Sequence, residues 1–262
     1  MRKHWQEILI LVAIVAVLMA IVKTYSSPKP VLLEEDDVVD SMTMTDTIRT
    51  YMDTVLDDYS GQLDGCSQII VVSPFGDLHS DIRLQAFERP NNLWVKVDSL
   101  DFTANIGYGG FAPPEGKKEG DGKTPTGIFT ITHYFTKSQD FSARLKKIEI
   151  TPNSIWVDDP TDSLYNTYFE NSPHESRKGE KLLRKDGLYD YAIVINYNAE
   201  RKSGKGSAIF LHCWSRLGKP TLGCVAIQES NMLKVLNWID SSANPMILIQ
   251  NGYNTALINN KH

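Results

Sequence analysis

From Ser67 onward the apolar residues fall in short runs, several of them alternating, with turn-forming residues between them. A chain patterned in this way pairs strands rather than packing helices. Ile69-Ile70-Val71-Val72 reads as a strand buried on both faces, and Ile82-Arg83-Leu84-Gln85-Ala86 alternates. Leu93, Val95 and Val97 alternate after Pro90-Asn91-Asn92, which supplies turn chemistry for a hairpin. Further strands are expected at Phe102–Ile106, Ile128–Thr132, Tyr191–Tyr197, Ala208–His212 and Met246–Ile249. One helix is convincing in this stretch, Glu229–Ile239, with Met232, Leu233, Leu236 and Ile239 on one face and Pro245 beyond its end. The expected fold is mainly β, a sandwich or partly closed barrel with few helices. Long loops between Tyr134 and Asp190 carry the variable part of a site.

The N-terminus is organised differently. Arg2 and Lys3 precede an uncharged apolar run from Ile8 to Val22, the pattern of an export signal or a membrane anchor with its positive flank in the cytoplasm. The run spans about 22 Å as a helix, short of a ~30 Å hydrocarbon core, and Trp5 and Tyr25 extend it as interfacial residues. Cleavage motifs are poor: Thr24-Tyr25-Ser26 is the best offering, and the reading favours an uncleaved anchor over a removed signal peptide. Residues 1–27 are thus assigned to the flank and transmembrane or signal segment. Residues 28–41, with Pro-Lys-Pro and Glu34-Glu35-Asp36-Asp37, read as a solvated acidic linker. Met44, Ile48, Met52, Val55, Leu56 and Tyr59 then recur at helical spacing, giving an amphipathic helix over residues 42–61 that packs against the domain.

Charge and cysteine content narrow the function classes. The formal net charge is −5, and no basic stripe interleaves with aromatics, so nucleic acid is not an expected partner. Cys66, Cys213 and Cys224 are an odd, sparse set, unlike the paired framework of a disulfide-stapled domain. No Cys-x-x-Cys or His-x-x-x-His spacing supports zinc, so no metal is expected. Asp121-Gly122-Lys123-Thr124 fails as a phosphate-binding loop, because Lys117 stands where the first glycine is needed and Pro125 hinders the helix.

The informative segment is Ala208-Ile209-Phe210-Leu211-His212, a strand that delivers a histidine at its end, followed by Cys224 in Pro220-Thr221-Leu222-Gly223-Cys224-Val225-Ala226. A free thiol with a pKa near 8.5 is mostly protonated at neutral pH, so a nucleophilic cysteine needs a base, and histidine suits that role. Gly223 permits a tight backbone approach in which amide N–H groups converge on an oxyanion, which makes acyl transfer the natural reaction. Against this stands the common occurrence of cysteine as a small buried hydrophobe and of histidine as a structural residue. Cys213, adjacent to His212, points to the opposite face and belongs in the core.

Three segments together resemble a known family. Gly120-Asp121-Gly122-Lys123-Thr124-Pro125-Thr126-Gly127-Ile128-Phe129, then Trp156-Val157-Asp158-Asp159, then Gly206 through His212 and Gly218 through Ala226 are similar, in this order, to the L,D-transpeptidase catalytic domain, also called YkuD-like. The resemblance covers roughly Ser67 to Ile249, within a catalytic domain placed at residues 62–252 and followed by a tail at 253–262. It implies a β-rich fold that cross-links peptidoglycan stem peptides in cell-wall biogenesis, without metal or cofactor, with Cys224 as nucleophile and His212 as base. The implied reaction is attack on the carbonyl of the third, L-centred diamino acid of a tetrapeptide stem. D-alanine is expelled, a thioester forms, and the amine of a neighbouring stem resolves it. An L,D-carboxypeptidase or cleaving hydrolase, or a catalytically weak peptidoglycan-binding protein, are the alternatives on the same fold. Leu222 and Ala226 stand where members commonly carry histidine and arginine or asparagine. Thr221, Trp214, Arg216, Lys219 and Trp156, in or beside these segments, are candidate substrate contacts. With the N-terminal segment, the resemblance implies an extracytoplasmic, membrane-anchored enzyme, or a secreted one after cleavage.

Overall fold

The computed structural model describes residue 56, residues 59–75 and residues 78–252. The apolar run, the acidic linker and the C-terminal tail lie outside the described residues. Of the helix expected over residues 42–61, Leu56 is helical and buried, and Ser60–Gln62 form a 3-10 turn. No helix among the described residues is long and apolar enough to cross a membrane.

The strands are β1 (Gln68–Phe75), β2 (Leu78–Glu88), β3 (Val95–Ala104), β4 (Phe111–Ala112), β5 (Thr124–Pro125), β6 (Gly127–Thr136), β7 (Lys146–Glu149), β8 (Ser154–Trp156), β9 (Tyr168–Glu170), β10 (Glu180–Lys181), β11 (Tyr191–Ile195), β12 (Phe210–Cys213), β13 (Val225–Ile227) and β14 (Met246–Ile249). The α-helix α1 (Glu229–Trp238) lies between β13 and β14. One sheet runs β13-β12-β11-β6-β14-β1-β2-β3, with β7 paired to β6. Its two ends nearly close into a barrel, because Asn105, just beyond β3, exchanges backbone hydrogen bonds of 2.8 Å with Ala226 of β13.

Strand periodicity divides the side chains between faces. In β1, Ile70 and Val72 enter one core cluster with Leu84, Leu211, Val225 and Ile247. Ile69 and Val71 enter a second with Leu56, Leu63, Trp94 and Leu248. The run is therefore continuously apolar because both faces are covered. Helix α1 lays Met232, Val235 and Leu236 into the first cluster. With Ile239 they form the i, i+3, i+4 stripe of a buried helix face, in which Val235 takes the place expected for Leu233.

Two details differ from the sequence expectation. Most of the runs at 93–97 and 102–106 belong to a single strand, β3, whose pairing with β2 shifts register between Lys96 and Asp101 while Leu100 enters the core. The segment between Tyr134 and Asp190 holds β7 and a small sheet ordered β10-β8-β9. These strands of two to four residues are too short for periodicity to declare them. The small sheet covers the outer face of the barrel, where Trp156 and Tyr189 meet Phe135, Phe210 and Cys224 in a third cluster.

Candidate active site

Strands β12 and β13 run parallel, with Leu211 opposite Val225, His212 opposite Ala226 and Cys213 opposite Ile227. Alternation then sorts the side chains. Leu211, Cys213, Val225 and Ile227 face the barrel core, whereas Phe210 and Cys224 belong to the outer cluster. His212 shares the face of Phe210, and both His212 and Cys224 line one cleft of about 420 Å³. Cys213, on the other face, donates its thiol to Tyr191 O at 3.5 Å and is held by burial at a pKa of about 12. All three cysteines are free and buried.

The two reactive groups are both held neutral. Burial, followed by the charge of Glu180, pushes the Cys224 thiol up to about 12; Phe210 N–H, Lys117 and Arg184 act in the opposite sense. Cys224 Sγ donates to Ala208 O at 3.2 Å and accepts from Phe210 N at 3.4 Å. His212 is 5% exposed, and burial lowers it to about 4. Its Nδ1 lies 2.8 Å from Cys213 O. A carbonyl can only accept, so this contact assigns the proton to Nδ1 and leaves the lone pair on Nε2. The ring of Tyr189 packs nearly perpendicular to the imidazole, with centroids 5.2 Å apart and the planes at 83°.

The loop that delivers the cysteine is cradled by the glycine-rich segment at 120–127. Gly223 takes φ +148°, and a Cβ there would stand 2.9 Å from Lys123 O, so the approach of the two loops requires glycine. Thr221 Oγ1 donates to Cys224 O at 2.6 Å and accepts from Gly223 N at 3.1 Å. Asp121 Oδ1 accepts from Lys117 Nζ (2.7 Å) and Lys123 N (2.9 Å), and Oδ2 from Lys118 N (2.8 Å). The segment that fails as a phosphate loop is thus a scaffold for the loop that carries Cys224.

A family model of the L,D-transpeptidase catalytic domain, YkuD, matches residues 83–248, more than half of the chain. The chain belongs to this family. Comparison with curated proteins and with solved structures finds no match in either.

Within this L,D-transpeptidase-type cleft, Trp214, Lys219 and Thr221 are lining residues. Arg216 is exposed and outside the lining; its carbonyl accepts from Asn105 Nδ2 at 2.9 Å. Trp156 is buried behind Phe210, with ring centroids 5.0 Å apart, and also stands outside the lining. The Gly223 N–H is taken by Thr221. No acceptor for the Cys224 N–H is found among the described residues. Leu222 is 82% exposed at the lip, while Ala226, 1% exposed, lies beside His212. The departures from the family pattern therefore fall on one surface position and one position at the heart of the site.

The cleft also gathers residues that spacing does not announce. Lys117, Glu119, Asp158, Glu180, Arg184 and Tyr189 come from loops and from β10. Glu180 accepts from Tyr189 at 2.5 Å and from Arg184 at 3.4 Å, and burial raises its carboxyl. Asp158 is also raised, by burial first and then by Glu119 and Asp159. The one sequence signal was the number of ionisable residues in the long loops. No group of three or more His, Cys, Asp or Glu is arranged to hold a metal ion among the described residues.

Proposed function

We propose that the protein is a cysteine acyltransferase of peptidoglycan stem peptides, an L,D-transpeptidase working through a Cys224 thioester. The observation that carries this reading is that His212 of β12 and Cys224, the residue just before the parallel strand β13, line one cleft in a chain of this family.

His212 Nε2 takes the thiol proton as Cys224 Sγ attacks the carbonyl of the L-centred diamino acid. With both groups held neutral in the free enzyme, proton transfer accompanies attack instead of preceding it as a stored thiolate–imidazolium pair. The Cys224 N–H is offered to the developing oxyanion, since the Gly223 N–H already has Thr221. The imidazolium returns the proton to the nitrogen of departing D-alanine, and the C–N bond breaks to leave the thioester. The amine of a second stem then attacks the thioester carbonyl, His212 removes its proton, and the thiol is restored. Trp214, Lys219 and Thr221 are the proposed substrate contacts.

The sequence supports placing the domain outside the cytoplasm on an anchor formed by residues 8–22. The deciding experiment is intact-mass analysis of the purified protein after exposure to a tetrapeptide stem, followed by an acceptor stem. The expected result is a tripeptidyl adduct on Cys224 that becomes a cross-linked dimer. An unmodified Cys224 rejects the reading; release of free tripeptide alone reassigns it to hydrolysis.

A further inference from the structure

Ala208 was expected to begin the strand that carries His212, but it takes φ +53°, the left-handed region that a residue with a Cβ avoids. It is the residue whose carbonyl accepts the Cys224 thiol at 3.2 Å. Strain at such a position persists only where the surroundings over-determine it. Here the Ala208 N–H is captured by Asn166 Oδ1 at 3.1 Å. Asn166 is 9% exposed and uses its whole amide. Oδ1 also accepts from Trp156 Nε1 at 2.9 Å, and Nδ2 donates to Tyr197 O at 2.9 Å and to Asn198 O at 3.1 Å. An asparagine amide has two acceptor sites and two donors, and all four are used. Asn166 itself has φ +58°, which asparagine tolerates. The two preceding residues are tied down from the same side: Gly206 N donates to Tyr165 OH at 3.2 Å and Ser207 Oγ to Glu119 Oε2 at 3.0 Å.

We propose that Asn166 is a positioning residue for Cys224, acting through the left-handed backbone of Ala208 to hold the thiol against the Ala208 carbonyl. The inference rests on Cys224 being the nucleophile of the proposed function. The chain of contacts is Asn166 Oδ1 to Ala208 N–H, then Ala208 C=O to the Cys224 thiol, with no other side chain intervening. A carbonyl oxygen at the S–H bond favours the thiol over the thiolate. Freed from Asn166, Ala208 returns to the extended region, since its left-handed form is disfavoured by a factor of about 5 to 30. The carbonyl then leaves the sulfur.

The test is the rate of Cys224 alkylation by iodoacetamide against pH on the full-length chain, with peptide mass mapping to separate Cys224 from Cys66 and Cys213. Asn166→Gly removes the amide while keeping the local backbone free, and is expected to move the alkylation midpoint to lower pH by about one unit. Adding Ala208→Gly removes the penalty on the left-handed form and is expected to move the midpoint back toward wild type. Ala208→Val leaves Asn166 in place, penalises the same conformation directly, and is expected to shift the midpoint as Asn166→Gly does. A merely structural Asn166 lowers the unfolding midpoint, and any shift it causes through lost burial of Cys224 is not reversed by adding Ala208→Gly. The proposal is overturned by an unshifted profile in Asn166→Gly, by a double variant that stays at the single variant's midpoint, or by an unshifted Ala208→Val. The last decides alone should Asn166→Gly not fold. Alkylation needs no transpeptidase activity, so a wild type that never accepts a tetrapeptide rejects the function and leaves this result readable.

Discussion

The Tyr189 hydroxyl donates to Glu180 Oε1 at 2.5 Å, while the same ring packs nearly perpendicular to the imidazole of His212. Through Tyr189 a half-buried carboxylate is fixed beside the thiol and its base. The negative charge of Glu180 disfavours a second negative charge on Cys224 and is, after burial, the largest cause of its raised pKa. Glu180→Gln keeps the shape and removes the charge, so the thiolate forms more readily. The expected outcome is a Cys224 alkylation profile displaced to lower pH, with His212 still in place; an upward displacement contradicts the electrostatic role.

Tyr189→Phe isolates the hydrogen bond from the ring contact. Losing one partner of a partly buried carboxylate costs about 1–3 kcal/mol. The packing on His212 survives because the ring does. Urea unfolding of the variant is expected to show that loss, with the acylation rate falling much less than in Tyr189→Ala. Equal activity in the two variants excludes a role for the ring in holding the imidazole.

Acid is expected to weaken the fold from a pH at which its carboxylates are still charged. Burial lowers His212 to about 4, and His133 to about 4 by burial first and then by Lys146 across the β6–β7 ladder. Between about 6.5 and 4 the unfolded chain takes up protons at these positions and the folded chain does not, so stability falls as pH drops through that window. The urea midpoint of wild type should decline from pH 6.5 to 4, and His133→Gln should flatten the decline. A variant curve parallel to wild type contradicts the assignment.

Much of this architecture is written in the sequence because it depends on local periodicity. Ile69–Val72 and Met246–Ile249 are strands declared by continuous apolar runs, Ile128–Thr132 is a strand with one buried residue, Ile131, and the apolar spacing around Met232 and Leu236 declares α1. The Cys224–His212 pair could be proposed because each stands at a strand end with a glycine nearby. Ala208 could not be read as left-handed, because its conformation is imposed by Asn166, forty-two positions earlier. Glu180, Arg184 and Tyr189 were hidden for the same reason: a two-residue strand has no period, and their convergence is decided by the small sheet. Arg216 and Trp156 show the converse, since neighbourhood in a motif does not decide which way a side chain faces.

The scaffold under the Cys224 loop should respond unequally to losing its two charges. The Lys117 side chain is 5% exposed and Asp121 18%. Asp121→Ala strands a buried ammonium with Lys118 O alone and is expected to cost about 3–5 kcal/mol, whereas Lys117→Met leaves Asp121 two backbone donors and costs less. Thermal melts of the two variants check the order; a more severe Lys117→Met reverses the account.

The cysteines provide a matched pair for activity. Cys224→Ser is expected to abolish acylation by a tetrapeptide, because a serine hydroxyl is a far weaker nucleophile at its ordinary pKa. Cys213→Ser keeps a donor to Tyr191 O on the opposite face and should retain most of it. Activity in the first variant and silence in the second would move the nucleophile to the wrong face of β12.

The seam between Asn105 and Ala226 has a further consequence. The Asn105 side chain also donates to Arg216 O and accepts from Gly218 N at 2.9 Å each, so one residue after β3 fastens both β13 and the loop leading to the cysteine. Residues far apart in sequence must meet there before Cys224 has its neighbours, and such long-range closure forms slowly. A chain whose seam is open can keep nearly all of its secondary structure while Cys224 loses the burial that holds its thiol neutral. Closure of this seam therefore sets the protonation state of Cys224 as well as the shape of its cleft, and an open edge would be read as faster alkylation of the thiol.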